Sequence, residues 1–375
     1  DQAPPELGGG CKIQEEGRPM EIRKLRHWWQ LNDFLALPGR IYRGNPCWVP
    51  VPRLWTWFSM GRLDEPGKAF YVVYRDGQPR ARAGFKVHRV KDQEYLHFGF
   101  FEALPDSQPE VMALIERGHQ LAPHLPMRGP YHFLQEDPFT GLLVKGFELK
   151  PTFFMSYNPP YYESLLEAAG LSKIMDLNSY QYTPQTARPQ LMEGRARRAR
   201  EKGITTEDLQ GGKLVDKVRL IADIFNESLA ENWGFEPIEG AQFQMFLLLA
   251  RLVLLREGVL LARKDGEPIG CLIMLPNLNP VLESRYPWQA LYRYWTRKKW
   301  IRSFRGYALG VRPAYRADEV APALVEHLSR LGRQYGWDEV EVSWVVENNR
   351  PMNALALALG GQCGKVYRIL ERPPQ

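Results

Sequence analysis

The feature that most constrains this chain is a repeat of its own landmarks at one spacing, close to half of its 375 residues. The turn Asp76-Gly77-Gln78-Pro79 returns 189 positions later as Asp265-Gly266-Glu267-Pro268. Asn158-Pro159-Pro160 precedes a helical pattern that stops at Gly170; Asn349-Arg350-Pro351 precedes one that stops at Gly360, and the two glycines lie 190 apart. Asn45-Pro46-Cys47-Trp48-Val49-Pro50 likewise has a counterpart in Asn232-Trp233-Gly234-Phe235-Glu236-Pro237. Independent landmarks at a common period predict a duplicated domain, and the length suffices for two separate cores.

Taken in order, each half reads as strands alternating with helices. In the first, strands are expected at Met20–Leu25, Phe70–Tyr74, Arg80–Val87, Tyr95–Glu102, Pro151–Tyr157 and Lys173–Tyr182, with helices up to Tyr42, at Glu110–Leu121 and at Tyr161–Ala169. Asp-Gly between two apolar runs is a hairpin signal, and the alternation as a whole predicts α/β architecture with mixed sheets flanked by helices. The expected divisions are a disordered tail (1–19), a first domain (20–184), a basic linker (185–202) and a second domain (203–375). The linker carries Arg195, Arg197, Arg198 and Arg200, which fit a solvated connector or helix face.

Composition narrows the partners. A formal charge of +6 with 12% aromatic residues suits nucleic acid, an anionic cofactor or an anionic lipid surface. Four cysteines (Cys11, Cys47, Cys271, Cys363) lack Cys-x-x-Cys spacing, and seven histidines include no His-Glu-x-x-His. That argues against a zinc site or a disulfide framework, so no metal is expected, and the cysteine usage suits a reducing compartment. The most apolar run, Met245–Leu255, is interrupted by Arg251 and too short to span a bilayer, so a core helix is expected there. With no secretory signal read at the start, the expected location is the cytoplasm.

Chemistry concentrates in Ile301–Val325. A strand, Ser303–Val311, runs into a turn with Arg312-Pro313 and Tyr315-Arg316 and then opens a helix. The unpaired N–H groups and positive dipole end of a helix N-terminus suit an anion such as a pyrophosphate. Asn349 before Pro351 is a helix-cap pattern.

This order of strand, -Val-x-Pro-x-Tyr-Arg-x-x-x-x-Ala-, helix, strand, Asn-rich turn and helix resembles the acyl-CoA-binding half of the GNAT N-acyltransferase superfamily. The resemblance implies that Arg316, Ala317, Glu319, Val320 and Ala321 form the pyrophosphate turn, in which Glu319 stands where the family has glycine. A wider set of motifs sharpens it: Tyr42-Arg43-Gly44-Asn45-Pro46-x-Trp48-Val49-Pro50, Phe100-Phe101-Glu102, Arg128-Gly129-Pro130, Asn158-Pro159-Pro160-Tyr161-Tyr162, Asn232-Trp233-Gly234-Phe235 and Leu275-Pro276-Asn277-Leu278-Asn279. Together these resemble a bacterial family of tandem-GNAT N-acyltransferases that includes ceramide synthase-like members. The resemblance implies two tandem GNAT folds and an acyl donor carried by CoA, or by an acyl-carrier protein, with no permanently bound cofactor. It also implies an amine acceptor, with a long-chain acyl group and a sphingoid or other lipid amine among the candidates.

In such folds the donor lies in a splay between two parallel strands, here Ser303–Val311 and Glu339–Val345. The main chain of Leu309, Gly310 and Val311 would meet the pantetheine arm, with Asn349 completing the cofactor set. Amide formation needs a base, and Glu341 on the second strand and Glu347 at its end are the candidates, although each also fits a solvent-exposed or structurally paired glutamate. The tyrosine acid that many relatives place in the last helix would fall at Ala356, so it is absent; Tyr307 is the substitute candidate. No basic turn follows Phe98–Glu102 in the first half, so only the second half is expected to hold the donor.

One insertion has no counterpart in the first half. In Pro287–Arg302, Trp288, Leu291, Tyr292 and Trp295 share a helical face, with Arg293, Arg297 and Lys298 away from it and Trp300 beyond. Aromatic rings beside cations suit a membrane interface, which predicts peripheral contact with the inner membrane face; a lid helix packed on the protein is the other reading. No nucleic-acid-binding module accompanies the segment, which sets that partner aside. Two further functions remain: a soluble acyltransferase acting on a peptide or small-metabolite amine, and a scaffold with a decayed site.

Overall fold

The computed structural model describes residues 12–15, 18–51, 53–131, 133, 139–208, 213–240, 243–244, 247–248, 258–283, 287–297 and 301–375. Most of Met245–Leu255, the loop positions 134–138, residues 298–300 with Trp300, and Cys11 lie outside the described residues, as does the side chain of Arg297. The chain divides into two compact units. Unit 1 comprises Asp1–Phe147, Ser156–Met175 and Arg368–Gln375; unit 2 comprises Glu148–Met155 and Asp176–Tyr367. The units are therefore discontinuous, where two consecutive blocks were expected: a short internal segment joins unit 2, and the last residues of the chain join unit 1.

Unit 1 contains β1 (Lys12–Glu15), β2 (Arg18–Lys24), α1 (Leu31–Ile41), α2 (Arg53–Met60), β3 (Lys68–Arg75), β4 (Gln78–Val90), β5 (Gln93–Ala103), α3 (Gln108–His119), β6 (Met127–Gly129), β7 (Leu142–Lys145) and α4 (Tyr162–Ala168). Strands β1 to β6 follow one another in the sheet, and only the β5–β6 pairing is parallel. Strand β1 pairs with β2 inside the segment expected as a tail, so regular structure begins before Met20. The residues of β3 alternate between two cores. Ala69, Tyr71 and Val73 pack with Val111, Leu114 and Ile115 of α3, while Phe70, Val72 and Tyr74 pack with Leu31 and Phe34 of α1. A strand covered on both faces has apolar residues at successive positions, which is why Phe70–Tyr74 reads as an unbroken run. No strand forms over Pro151–Tyr157, contrary to expectation; a turn falls at Phe153-Phe154, with Phe154 at φ 61°, and side-chain bonds hold the segment instead of a ladder.

Unit 2 contains the greater part of β8 (Ser172–Tyr182), then α5 (Gln190–Glu201), β9 (Ile204–Asp208), α6 (Leu214–Leu229), β10 (Val259–Lys264), β11 (Glu267–Pro276), α7 (Asn279–Leu282), α8 (Pro287–Arg297), β12 (Ser303–Val311), α9 (Val320–Tyr335), β13 (Glu339–Val346), α10 (Arg350–Ala358) and the first part of β14 (Gln362–Arg372). Its strand order is β9-β10-β11-β12-β13-β8-β14, with β12 and β13 parallel. The same two-faced packing recurs. Leu260 and Ala262 of β10 meet Ala323 and Leu324 of α9, and Val259 and Leu261 meet Ile221 and Ile224 of α6.

The duplication is visible in the backbone. Asp76 and Gly77 have φ of 52° and 71°, and Asp265 and Gly266 have 52° and 82°, so both hairpins turn through paired left-handed residues. Their ladders slip at equivalent places, between Val73 and Tyr74 and between Ala262 and Arg263. Gly170 and Gly360 end their helices at φ 85° and 87°. The expected basic linker is helix α5, with Met192, Ala196 and Ala199 buried and with Arg195, Arg198 and Arg200 reaching Glu319 and Glu326 at α9.

Candidate functional site

Strands β12 and β13 pair from Ser303↔Glu339 to Gly306↔Val342 and then part, although β12 continues to Val311 and β13 to Val346. Both strands carry an irregularity at this level. On β12, Gly306 faces Met274 and Ala308 faces Ile273, leaving Tyr307 as the extra residue. On β13, Ser343 and Trp344 lie between the pairs Val342↔Tyr180 and Val345↔Asn178. Bulges bend a strand and increase its twist, so two of them at one level open a wedge. Gly306 permits the approach just before the parting, because a Cβ there would sit 3.0 Å from Val342 Cγ2.

The wedge is lined on one side by backbone donors. The Arg312 N–H donates to Ile269 O (2.9 Å), which sets the phase of the β11–β12 ladder. Bonded pairs are then Gly310 with Cys271 and Ala308 with Ile273, so the N–H groups of Leu309 and Val311 face away from β11, into the wedge. At Gly310 a Cβ would lie 2.5 Å from Ser228 Oγ, so α6 packs directly on the strand backbone.

The strand leads into the turn 312–319. Arg316 Nη2 donates to Ser228 O (3.0 Å), and the guanidinium lies 3.8 Å from Glu231 with half of its surface exposed. Glu319 has φ 64°, a left-handed conformation that glycine adopts freely and other residues rarely. Its carboxylate points at α5, accepting from Arg195 Nε (2.6 Å) and Arg198 Nη2 (3.0 Å). Burial pushes this carboxyl up, but the bonds and charges of Arg198 and Arg195 outweigh it and hold it below the usual range. Neighbouring Asp318 is similarly lowered by Lys202 and Lys264. At the start of α9, Pro322 has no N–H and Ala323 N–H bonds Glu319 O, which leaves Val320 and Ala321 as helix donors without an intrahelical partner.

The two candidate carboxylates, Glu341 in β13 and Glu347 just past its end, differ sharply. Glu341 is 1% exposed; one oxygen accepts from Ser179 Oγ, and the other from Thr152 Oγ1 and from Lys365 Nζ at 2.7 Å. Lys365 is also 1% exposed. Beside them, buried Arg305 donates to Ser343 Oγ (3.1 Å) and Phe154 O (2.7 Å). The segment 148–155 is thus fastened to unit 2 by polar bonds, including Asn279 Nδ2 to Pro151 O (2.8 Å). Glu347 is exposed at the end of β13, where its Oε1 accepts from Asp176 N–H (3.1 Å). Tyr307 is half-buried, with the Arg305 guanidinium 5.6 Å from its ring centre. Asn349 caps α10 by accepting from Met352 N–H (3.1 Å), and Ala356 is fully buried. On α8, Trp288, Leu291, Tyr292 and Trp295 are all exposed, at 59% or more, whereas Arg293 turns back to bond Glu283 O (2.7 Å).

Residues 220–360 match the Acetyltransferase (GNAT) family. Over 92% of its length the chain is 26% identical to a bacterial ceramide synthase of Caulobacter vibrioides (strain NA1000 / CB15N), covering 94% of that protein. Protein YghO of Escherichia coli (strain K12) is 25% identical, covering 94% of this chain and 95% of its own. A tandem GNAT protein from the clavulanic acid biosynthesis pathway has the same fold, with a TM-score of 0.54 at 11% identity over 95% of this chain and 99% of that one. These similarities support placing the chain with the tandem-GNAT N-acyltransferases. The GNAT fold implies an acyl-CoA donor and an amine acceptor.

Of its two GNAT folds, unit 1 fills its own wedge. Its parallel pair β5–β6 ends at His97↔Arg128, but the Tyr131 N–H then donates to Phe98 O (2.8 Å), and the Phe133 ring packs against Phe70 and Phe100. The start of α3 carries Asp106 and Glu110, engaged by Arg80 and Arg75, a charge opposite to what a pyrophosphate needs. The tandem-GNAT signature motifs meet elsewhere in this unit. Tyr42 OH (3.0 Å) and Tyr162 OH (2.7 Å) donate to the carboxylate of Glu102, Tyr161 OH donates to Ala103 O (2.9 Å), and Asn158 bonds both backbone groups of Leu143. Burial raises the Glu102 carboxyl above its usual range despite Arg82 nearby. The Glu102 and Glu341 networks were missed by sequence reasoning; the only available signal was a carboxylate placed within apolar strand text.

Proposed function

We propose that this enzyme transfers a long-chain acyl group from acyl-CoA to a lipid amine in the wedge of unit 2. The observation that carries the reading is the parting of β12 and β13 beside outward-facing Leu309 and Val311 N–H groups, followed by the open N-terminus of α9. In this reading the pantetheine arm lies along Leu309–Val311, and one of these N–H groups donates to the thioester oxygen as charge develops on it. Val320 and Ala321 N–H with Arg316 hold the pyrophosphate, and Ala317 lets the turn come close. Glu319 is compatible with that anion because its charge is engaged by two arginines of α5. Asn349 shapes the turn ahead of α10 and reaches the cofactor only through it.

The acceptor must arrive as, or become, a neutral amine. Glu347, exposed at the end of β13, collects its proton, while Glu341 serves as the counter-ion of Lys365 and holds the strand in place. Tyr307, at the bulge, returns a proton to the departing thiolate. A lipid acceptor is favoured by the outward aromatic stripe of α8, with rings suited to headgroup depth, and by the ceramide synthase among the relatives. The stripe favours peripheral membrane contact over the packed-lid alternative.

Thermal shifts with CoA, acetyl-CoA and palmitoyl-CoA below its micelle range test the donor, since a ligand bound only to the folded state raises the melting point. The expected result is stabilisation by palmitoyl-CoA well beyond CoA, followed by CoA release when a sphingoid amine is added. Equal shifts with all three donors, and release only with peptide or metabolite amines, would replace the lipid reading by a soluble one. No shift and no release would leave a scaffold. Glu347→Gln should lower turnover about 100-fold or more while leaving the palmitoyl-CoA shift intact; unchanged turnover would remove Glu347 from the base role.

A further inference from the structure

Unit 1 carries a surface that the acyl-transfer site does not use. Trp28 and Trp29, just before α1, are 72% and 62% exposed; Trp57 and Phe58, in α2, are 52% and 42% exposed. Large aromatic side chains are rarely left in water in such number, because each ring can bury 150–250 Å² (about that range for Phe, Tyr and Trp). Here the fold itself points them outward. Leu25 and Leu31, on either side of the Trp28-Trp29 pair, and Met60, at the end of α2, enter one core cluster with Phe34 and Phe70. The inner residues of both segments therefore anchor to the same end of the unit. The rings are held rather than loose: His27 stacks on Trp29 at 4.3 Å, Trp28 meets Trp29 edge-on at 5.9 Å, and Trp55 lies 6.0 Å from Phe58.

Charge selects among partners. Residues 22–32 and 41–63 contain no aspartate or glutamate but include Arg23, Lys24, Arg26, Arg43, Arg53 and Arg62. Arg23 is paired with Glu21 and Arg62 with Asp64. Lys24, Arg26, Arg43 and Arg53 are exposed and make no ion pair among the described residues. Exposed indoles with cations beside them, and no acid within either segment, match the headgroup region of an anionic bilayer. Rings sit at the interface there, and each surface cation contributes about 1 kcal/mol with anionic lipid.

We propose that the Trp28/Trp29 and Trp57/Phe58 face of unit 1 is a docking surface for an anionic lipid bilayer, separate from the stripe on α8. The proposal extends the lipid reading to a second element, but its test uses no acyl donor, so it stands or falls apart from the chemistry. Full-length protein is co-sedimented with phosphatidylcholine vesicles with and without phosphatidylglycerol, over a range of salt. The expected result is binding that requires phosphatidylglycerol and weakens with salt. It should fall more than tenfold in W28S/W29S/W57S/F58S, and about fivefold per cation in R26Q/R53Q, the equivalent of about 1 kcal/mol each. Unchanged melting points establish that both variants are folded, and R26Q/R53Q alters only exposed arginines should the aromatic variant not fold. Wild-type binding by both variants, or loss of all binding in W288S/W295S with this face intact, would overturn the proposal.

Discussion

Replacing Glu341 by glutamine should be felt first in stability. Glu341 and Lys365 are each 1% exposed and 2.7 Å apart, so E341Q leaves a buried ammonium with a neutral amide in place of its counter-ion. Breaking one side of a buried pair costs about 3–5 kcal/mol, against a total of about 5–15 kcal/mol for a domain. K365M should cost a similar amount by leaving the carboxylate without its cation. Removing both charges behaves differently. In E341Q/K365M the glutamine carbonyl accepts from one of the Ser179 and Thr152 hydroxyls while its NH2 donates to the other, and methionine roughly preserves the lysine's volume, so most of the loss should return. The double variant should sit within about 1–2 kcal/mol of wild type, with a coupling energy of about 4 kcal/mol or more. Urea denaturation of the four proteins, followed by a probe in unit 2, measures this cycle. Losses below about 1 kcal/mol that simply add would refute the argument, since the pair would then be too hydrated to matter. The stable double variant also separates structure from chemistry. Acyl transfer near the wild-type rate leaves Glu341 as a positioning residue, whereas loss of transfer at restored stability makes it the base and displaces Glu347.

Two further outcomes follow from charge and backbone geometry. Burial, aided by the charges of His88, Arg128 and Lys86, holds the His97 imidazole well below its usual range, so it stays neutral in the folded state. Stability from this source is present above the unfolded value, about 6.5, and is lost as pH falls below it, by at most about 1.4 kcal/mol per pH unit; melting curves of H97Q should show a shallower decline from pH 7 to pH 5, and an unchanged decline would refute the assignment. Glu319→Gly relieves a left-handed residue, about 1 kcal/mol, while losing two half-exposed ion pairs worth about 0.2–1 kcal/mol each, so stability should move by less than about 1 kcal/mol. The CoA-induced melting shift should persist or grow in E319G, and its disappearance would mean that the carboxylate with Arg195 and Arg198 is itself part of the anion site.

By itself, the sequence determined the features that depend on local patterning. The Asp-Gly hairpins, the helix stops at Gly170 and Gly360, the cap at Asn349, the two-faced strands and the strand–turn–helix at Ser303–Val320 all follow from residues close together in the chain. Their repetition at one spacing exposed the duplication, and the motif set pointed to the family that the chain resembles. Tertiary structure alone decided what those elements meet. Thr152 finds Glu341 across 189 positions and Arg195 finds Glu319 across 124, turning an expected linker into a packed helix and an expected strand into a polar clasp. The closing of the unit 1 wedge by Tyr131 and Phe133, and the outward turn of Trp28 and Trp57, had no local signature either. An aromatic or a carboxylate satisfies the same pattern whether it faces a core, a partner or water. What separates these outcomes is desolvation and pairing, and those exist only once distant segments have been brought together.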